Sequence, residues 1–442
     1  MISLKYGYLN DILNIDNDVA WVLLSKLSTI IKGPLIILFI VVYLTSEQQG
    51  IWYTFISLSA ISALAELGFS MIITQLVSHE FSDLRIEKGY IKGCSKSRER
   101  LYSLIKYAIY IYGVILPVAI LLMLIAGYVI LDKSLIYQWV AYTIVSALML
   151  FVTVLQSVYH GMDKVGDVHR MKTIGIVILL ISSCFFIYIG YGIWALVIST
   201  LISFLVMVFF LWIDTKRIWL QIYRTKIRNI YNWKSEIITL QGKYAVSWAS
   251  GYFIFQLFVP FVYKIEGAVM AGQLGVALSL VKSISSISSS WLDSKIPKIN
   301  MCVARKDKSS LDRIFAKYSL TGYLFFCLGA IGLLTAVYII NQYDVYAERM
   351  LDTYYVFLLI LVEFATIKIG YLAKYLRAHK AEPFYMLSLL NGALVFFVVY
   401  TVLPIYKIEG LFYSLIIIYW LIILPLAFII FKGFTKQYYS VV

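Results

Sequence analysis

The chain has 442 residues, of which 61% are hydrophobic and only 14% charged, and it carries a formal net charge of +14. Soluble domains devote about a quarter of their residues to charge, so this composition excludes an ordinary soluble globule. The positive surplus is spread over alternate connecting segments and comes with no nucleic-acid-binding motif, so it predicts no nucleic-acid partner.

The first 17 residues are polar and mildly acidic, and the apolar run after them is too long for a signal-peptide core. That run is expected to be the first span. Hydropathy then predicts twelve spans, near 18–43, 49–77, 107–131, 135–159, 173–190, 192–213, 244–263, 267–291, 318–340, 353–373, 384–404 and 410–431. Most reach the roughly 20 residues needed to cross a bilayer. Backbone groups in lipid have to be satisfied within the segment, so each span should be a helix. Most of the 38 basic residues fall in every second loop and the C-terminal tail. Only Lys133, Lys264, Arg349 and Lys407 lie in the other loops. Short basic loops stay cytoplasmic, which predicts a multi-pass protein with both termini inside.

The connector 214–243 divides the chain into an N-terminal lobe, 1–213, and a C-terminal lobe, 244–442. Within it Trp219, Tyr223, Ile227, Ile230 and Tyr231 recur at helical spacing among basic residues, which predicts an amphipathic linker resting on lipid headgroups. Six spans per lobe return the chain to its starting side, so a duplication would give parallel repeats. Gln48-Gln49-Gly50-Ile51 is echoed by Gln273-Leu274-Gly275-Val276, and Pro34 by Pro260. The expected fold class is an all-α polytopic membrane protein, with twelve transmembrane helices in two parallel six-helix lobes around a central cavity.

Four lysines lie inside spans: Lys26, Lys32, Lys282 and Lys368. An ionised group at mid-membrane costs roughly 2.5–3.5 kcal/mol on insertion scales and usually faces protein or water. In span one Ser25, Ser28, Thr29 and Lys32 share a helix face, just before a Gly33-Pro34 pair expected to loosen the helix. Lys26 lies nearer the interface, where it can snorkel. Ser59, Ser62, Glu66 and Ser70 share a face of span two, with Glu66 pairing with a nearby lysine or reaching water. Span four offers Gln156. In span eight Ser279, Lys282, Ser286, Ser289 and Asp293 line one face; a helix–helix interface explains the serines, but a water-filled path also explains the lysine. Span ten carries Glu363 and Lys368 about 140° apart, so each needs another partner. Span eleven adds Asn391. Intramembrane cations outnumber anions, which suits an anionic substrate. The four cysteines and four histidines show no metal-ligand spacing, and neither metal nor cofactor is expected.

Ala271-Gly272-Gln273-Leu274-Gly275, the serine-rich Ser283–Trp291 and Lys295-Ile296-Pro297-Lys298-Ile299 resemble span eight of bacterial O-antigen and capsule repeat-unit flippases. Gln48–Trp52 and Glu66-Leu67-Gly68-Phe69-Ser70 resemble their span two. These flippases belong to the multidrug/oligosaccharidyl-lipid/polysaccharide exporter superfamily. The resemblance implies an inner-membrane, non-enzymatic carrier that moves an undecaprenyl-diphosphate-linked oligosaccharide to the periplasmic leaflet by alternating access. It also implies cavity cations on the diphosphate, here Lys32, Lys282 and Lys368 with Lys26, and a polysaccharide polymerase and chain-length regulator as partners. The family's cavity is richer in arginine, whereas no span here contains Arg. Glu66 or Glu363 is a candidate coupling carboxylate. Three alternatives stand beside this reading: a multidrug or metabolite exporter of the same superfamily, a membrane polysaccharide polymerase or glycosyltransferase, and a scaffold for the envelope-polymer machinery, which would not require charged residues within the spans. The short outer loops and lack of a catalytic motif speak against the polymerase.

Overall fold

The computed structural model describes residues 17–227, 231–234, 236–237, 241, 256–342, 348–379 and 381–441. Among these, nine helices are long and apolar enough to cross a membrane, or ten when a bent pair is counted as one span. The protein is a multi-pass membrane protein. It divides into two compact units, one of Met1–Phe39 with Ser59–Trp248 and one of Ile40–Leu58 with Ala249–Val442.

In the first unit α1 (Asn17–Tyr43) passes through Gly33-Pro34 unbroken, its final residues belonging to the second unit. Span two is not one helix. It consists of α2 (Ser46–Ser59), which belongs to the second unit up to Leu58, and then, in the first unit, a short α3 (Ser62–Glu66) and α4 (Phe69–Phe81), with a 48° bend at the break before α4. Leu67 and Gly68 both take positive φ, 48° and 76°, which ends α3 and opens α4. Ser59, Ser62, Glu66 and Ser70 therefore do not share a continuous helix face.

The next loop holds a feature that hydropathy hides. Strands β1 (Leu84–Glu87) and β2 (Tyr90–Gly93) pair antiparallel around Lys88-Gly89, whose φ values of 50° and 80° give the primed turn that suits a two-residue hairpin. The helices that follow are α5 (Ser95–Ile130), α6 (Ile136–Gly161), α7 (Val165–Tyr188) and α8 (Trp194–Arg224). The Gln221 side chain bonds both backbone groups of Ile91, at 2.8 and 3.0 Å, and Arg217 donates to the Lys88 carbonyl. The first part of the expected connector, through Arg224, is thus the end of α8 and grips the hairpin. Residues 225–227 have no regular structure, and Ile230 lies outside the described residues. Helices α7 and α8 meet through small side chains, with Ser183 Oγ 2.8 Å from Ser199 Oγ and Ser203 donating to the Gly175 carbonyl. At one end Arg170 bridges Asp167 and Asp214, tying the same two helices by charge.

In the second unit only 256–263 of the expected seventh span is described, ending in α9 (Phe258–Glu266). Helices α10 (Ala268–Asp293), α11 (Ile296–Ala304), α12 (Lys308–Ile340) and α13 (Thr353–Ala378) follow. The last two spans comprise α14 (Tyr385–Phe397), a π-helical turn, α15 (Leu403–Ile416), a second π-helical segment (Ile417–Ile423) and α16 (Leu424–Val441). The chain breaks direction at Lys407, where φ is 54° and ψ −153°.

The two echoed segments lie against each other in the second unit. Gln49 donates to the Arg349 carbonyl at 2.9 Å and Gln273 to the Glu348 carbonyl at 3.1 Å, so the two glutamines anchor one loop. Gly272 lies against the backbone of Gly50, Gly275 against the Tyr53 ring, and Gly50 against the Ala268 carbonyl. Glycines on both helices let α2 and α10 touch backbone to backbone.

Candidate functional site

The polar residues inside the spans fall into two sets, one in each unit. In the first, Glu66 is buried. Its Oε1 accepts from the Tyr112 hydroxyl of α5 at 2.7 Å and from the Ser70 amide at 3.0 Å. This corrects the expectation of a lysine partner or water: the carboxylate caps α4 and bridges to α5. Negative charge at a helix start is favoured by the exposed amides and the dipole. Hydrogen bonds to a charged group contribute about 1.5–3 kcal/mol, which offsets part of the burial cost. Gln241 reaches the carbonyls of Glu66 and Leu67, satisfying the backbone freed at the break. On α1 Ser25 is buried, Ser28 and Lys32 are half-buried, and Lys26 is exposed, within electrostatic range of His169. Gln156 is buried with its amide 3.8 Å from Met207 Sδ.

The second set is denser. Lys282 and Ser285 of α10 face Glu363 of α13: Ser285 hydrogen-bonds the carboxylate, and Lys282 and Glu363 attract each other electrostatically. Thr366 on the next turn bonds the Tyr419 hydroxyl, which also receives the Asn391 amide at 3.3 Å. Asn391 Oδ1 is buried without a donor among the described residues. Tyr419 sits in the π-helical segment of the last span, and such insertions re-aim side chains at functional sites. Four segments thus converge on one polar centre. Lys368 is half-buried, its ammonium 5.0 Å from the Phe364 ring centroid. The expectation that Glu363 and Lys368 do not pair with each other agrees with these separate partners.

Farther along α10 the serines divide. Ser288 is fully buried, donates to the Gly322 carbonyl of α12 and lies 3.1 Å from the Tyr371 hydroxyl. Ser289 is half-buried beside Tyr371, while Ser286 is exposed. Asp293 is paired with Lys374 at 2.7 Å. Small hydroxyls thus serve close packing at Ser288, a position that the spacing through Lys282 did not select.

Sequence reasoning missed Tyr112, Thr366, Tyr371 and Tyr419. Their signal was weak, because tyrosine is abundant at 36 residues and serves interfaces, packing and polar networks alike.

The sequence matches no family profile and no curated protein. Solved structures are more informative. One described as the inward-facing conformation of a multidrug resistance MATE family transporter of the MOP superfamily aligns with a TM-score of 0.62, at 10% identity, over 94% of this chain and 95% of that one. This chain shares that fold. A MOP superfamily transporter from Pyrococcus furiosus aligns at 12% identity over 96% of both chains, with a TM-score of 0.47. The MOP fold accounts for the twelve-helix, two-lobed class expected from the sequence. The run from Tyr385, broken at Lys407, supplies two spans, and α9 falls in the partly described seventh.

Proposed function

We propose that this protein is a flippase carrying an undecaprenyl-diphosphate-linked oligosaccharide repeat unit from the cytoplasmic to the periplasmic leaflet by alternating access. The observation that carries the reading is the surplus of half-buried lysines within spans. Lys32 and Lys368 have no carboxylate within ion-pair distance among the described residues, and Lys282 lies within electrostatic range of Glu363. A diphosphate needs opposing cations to leave water, because unpaired charge in a low-dielectric interior is prohibitive. Lysine serves this need as a point charge.

Glu363 gives the site a way to let go. When the cavity is empty it holds Lys282, and on loading the diphosphate takes the carboxylate's place. Competition between the two anions keeps binding weak enough for release. The exported unit then passes to a polymerase and chain-length regulator. The fold likeness supports a transporter rather than an enzyme.

A second reading, a multidrug exporter of the same superfamily, is favoured by the aromatic group around Phe364. Tyr323 and Phe326 lie 5.5 and 5.9 Å from it, centroid to centroid, beside Glu363. Carboxylate and aromatic faces together suit an organic cation. Deleting the gene in a host without a second flippase separates the two readings. The flippase reading predicts loss of surface polymer with intact lipid-linked repeat units trapped on the inner leaflet. Unchanged polymer together with drug hypersensitivity overturns it in favour of the exporter.

A further inference from the structure

At one end of the second unit, α12 begins where α16 finishes. Lys308 from α12 and Lys432 and Lys436 from α16 line an open groove of about 340 Å³, together with Thr435 and Tyr439. Lys432 and Lys436 are one helical turn apart and project the same way. The Lys308 ammonium stands 4.4 Å from the centroid of the Tyr439 ring. That ring is fixed in turn, because its hydroxyl meets His379 Nε2 at 3.0 Å and the His379 Nδ1 end is held by the Tyr375 carbonyl at 2.9 Å.

No carboxylate lines this groove among the described residues. The nearest acidic residues along α12 are occupied. Asp307 caps the helix, accepting from Ser310 N at 3.0 Å and Ser309 Oγ at 2.9 Å; the Ser310 and Ser309 bonds pull its carboxyl down to about 2. Asp312 accepts from the Tyr375 hydroxyl at 2.8 Å. Three ammonium groups converging on one groove repel one another unless an anion occupies it. The donors are flexible, and lysine matches tetrahedral oxyanions as a point charge rather than through a planar fork.

We infer that this groove binds a phosphoryl anion, presented either by the headgroup of an inner-leaflet anionic lipid or by a soluble phosphate. The site lies at the lysine-rich end of the spans, which the charge rule places on the cytoplasmic side, where anionic lipids concentrate. It is separate from the Lys282–Glu363 centre and independent of what the transporter carries. The Tyr439 ring lies against the Lys308 ammonium at the groove, Lys432 and Lys436 line it from α16, and the Thr435 hydroxyl between them donates to the Phe431 carbonyl, leaving the three ammonium groups as the donors to the anion.

Native mass spectrometry of the full-length protein in detergent tests the site. The probes are phosphatidylglycerol, phosphatidylcholine and inorganic phosphate, applied to the wild type, Lys432→Gln/Lys436→Gln and Lys432→Arg/Lys436→Arg. At about 1 kcal/mol per lysine near a charged surface, the glutamine pair should weaken retention of the anion about thirtyfold while the arginine pair retains it. Phosphatidylglycerol bound in preference to phosphatidylcholine and not displaced by phosphate identifies the lipid as the source. Displacement by inorganic phosphate identifies a soluble anion. Equal retention by the wild type and the glutamine pair, with both variants folded as judged by thermal melting, overturns the site. The readout is binding, so it stands whether or not the flippase reading holds.

Discussion

Lys282→Ala should lower transport of the lipid-linked repeat unit by roughly 10–100-fold at normal expression, the range expected when a charge-assisted contact is lost. Two effects act in the same direction. The diphosphate loses a cation, and Glu363 loses the positive charge that balances it in the half-buried centre with Ser285. Lys282→Arg should retain much of the activity, since the charge persists although its geometry changes. Lys368→Ala should fall in the same direction with a smaller loss, because that ammonium rests on Phe364 rather than on a carboxylate. Glu363→Gln separates the two effects. It keeps the shape and the cation but removes the competing anion, so it should strengthen retention of the diphosphate and slow its release. Polymer restored to wild-type levels by both alanine variants, with unchanged expression, contradicts the cation proposal.

The second large effect concerns packing. Gly50→Leu should lower the melting temperature by about 5 °C or more, because it forces a side chain into the Ala268 carbonyl. Neither helix can step aside easily. Gln49 is tied to the loop at Arg349, and the next turn of α2 carries the buried Trp52, Tyr53 and Phe55. Gly332→Leu in α12 is the control, since a Cβ there meets nothing within 4 Å. Comparable melting shifts for the two variants in detergent would show that the α2–α10 contact does not carry this stability.

The helices were legible in the sequence because apolar length and the alternation of basic loops are long-range, redundant signals. The ends of those helices were not. Helix α5 begins at Ser95, not near 107, α8 runs to Arg224 and α12 starts at Lys308. These extensions are polar, and hydropathy stops where the membrane would stop, while helix propensity and packing continue. The hairpin at Leu84–Gly93 escaped for a related reason. Its pattern is short, and it is stabilised by Gln221 and Arg217, more than a hundred residues away. The break in span two was written in Leu67-Gly68, yet glycine inside an apolar run has many uses, and only its backbone angles decide among them.

The charged residues of the candidate site were legible as types but not as partnerships. Lys282 and Glu363 each announced an intramembrane cost on their own spans, and the need for an outside partner followed from their neighbours. Their approach to each other, the Ser285 bond to Glu363, and the role of Tyr419 and Thr366 around them depended on which faces of α10 and α13 pack together. Glu66 shows the opposite outcome. Its carboxylate stood out as a candidate for coupling, and its position explains why it is needed for structure: it caps α4 and receives Tyr112.

The central claim is that the cargo is an anionic diphosphate lipid carrying a glycan. Purified protein in proteoliposomes tests it most directly, with an undecaprenyl-diphosphate-linked oligosaccharide in one leaflet and a lumenal glycan-modifying enzyme reporting its arrival in the other. A cationic dye in parallel vesicles serves as the competing cargo. The expected result is glycan exposure that depends on the protein, falls with Lys282→Ala, and proceeds without dye movement. Protein-dependent dye transport with no movement of the glycolipid would contradict the flippase account.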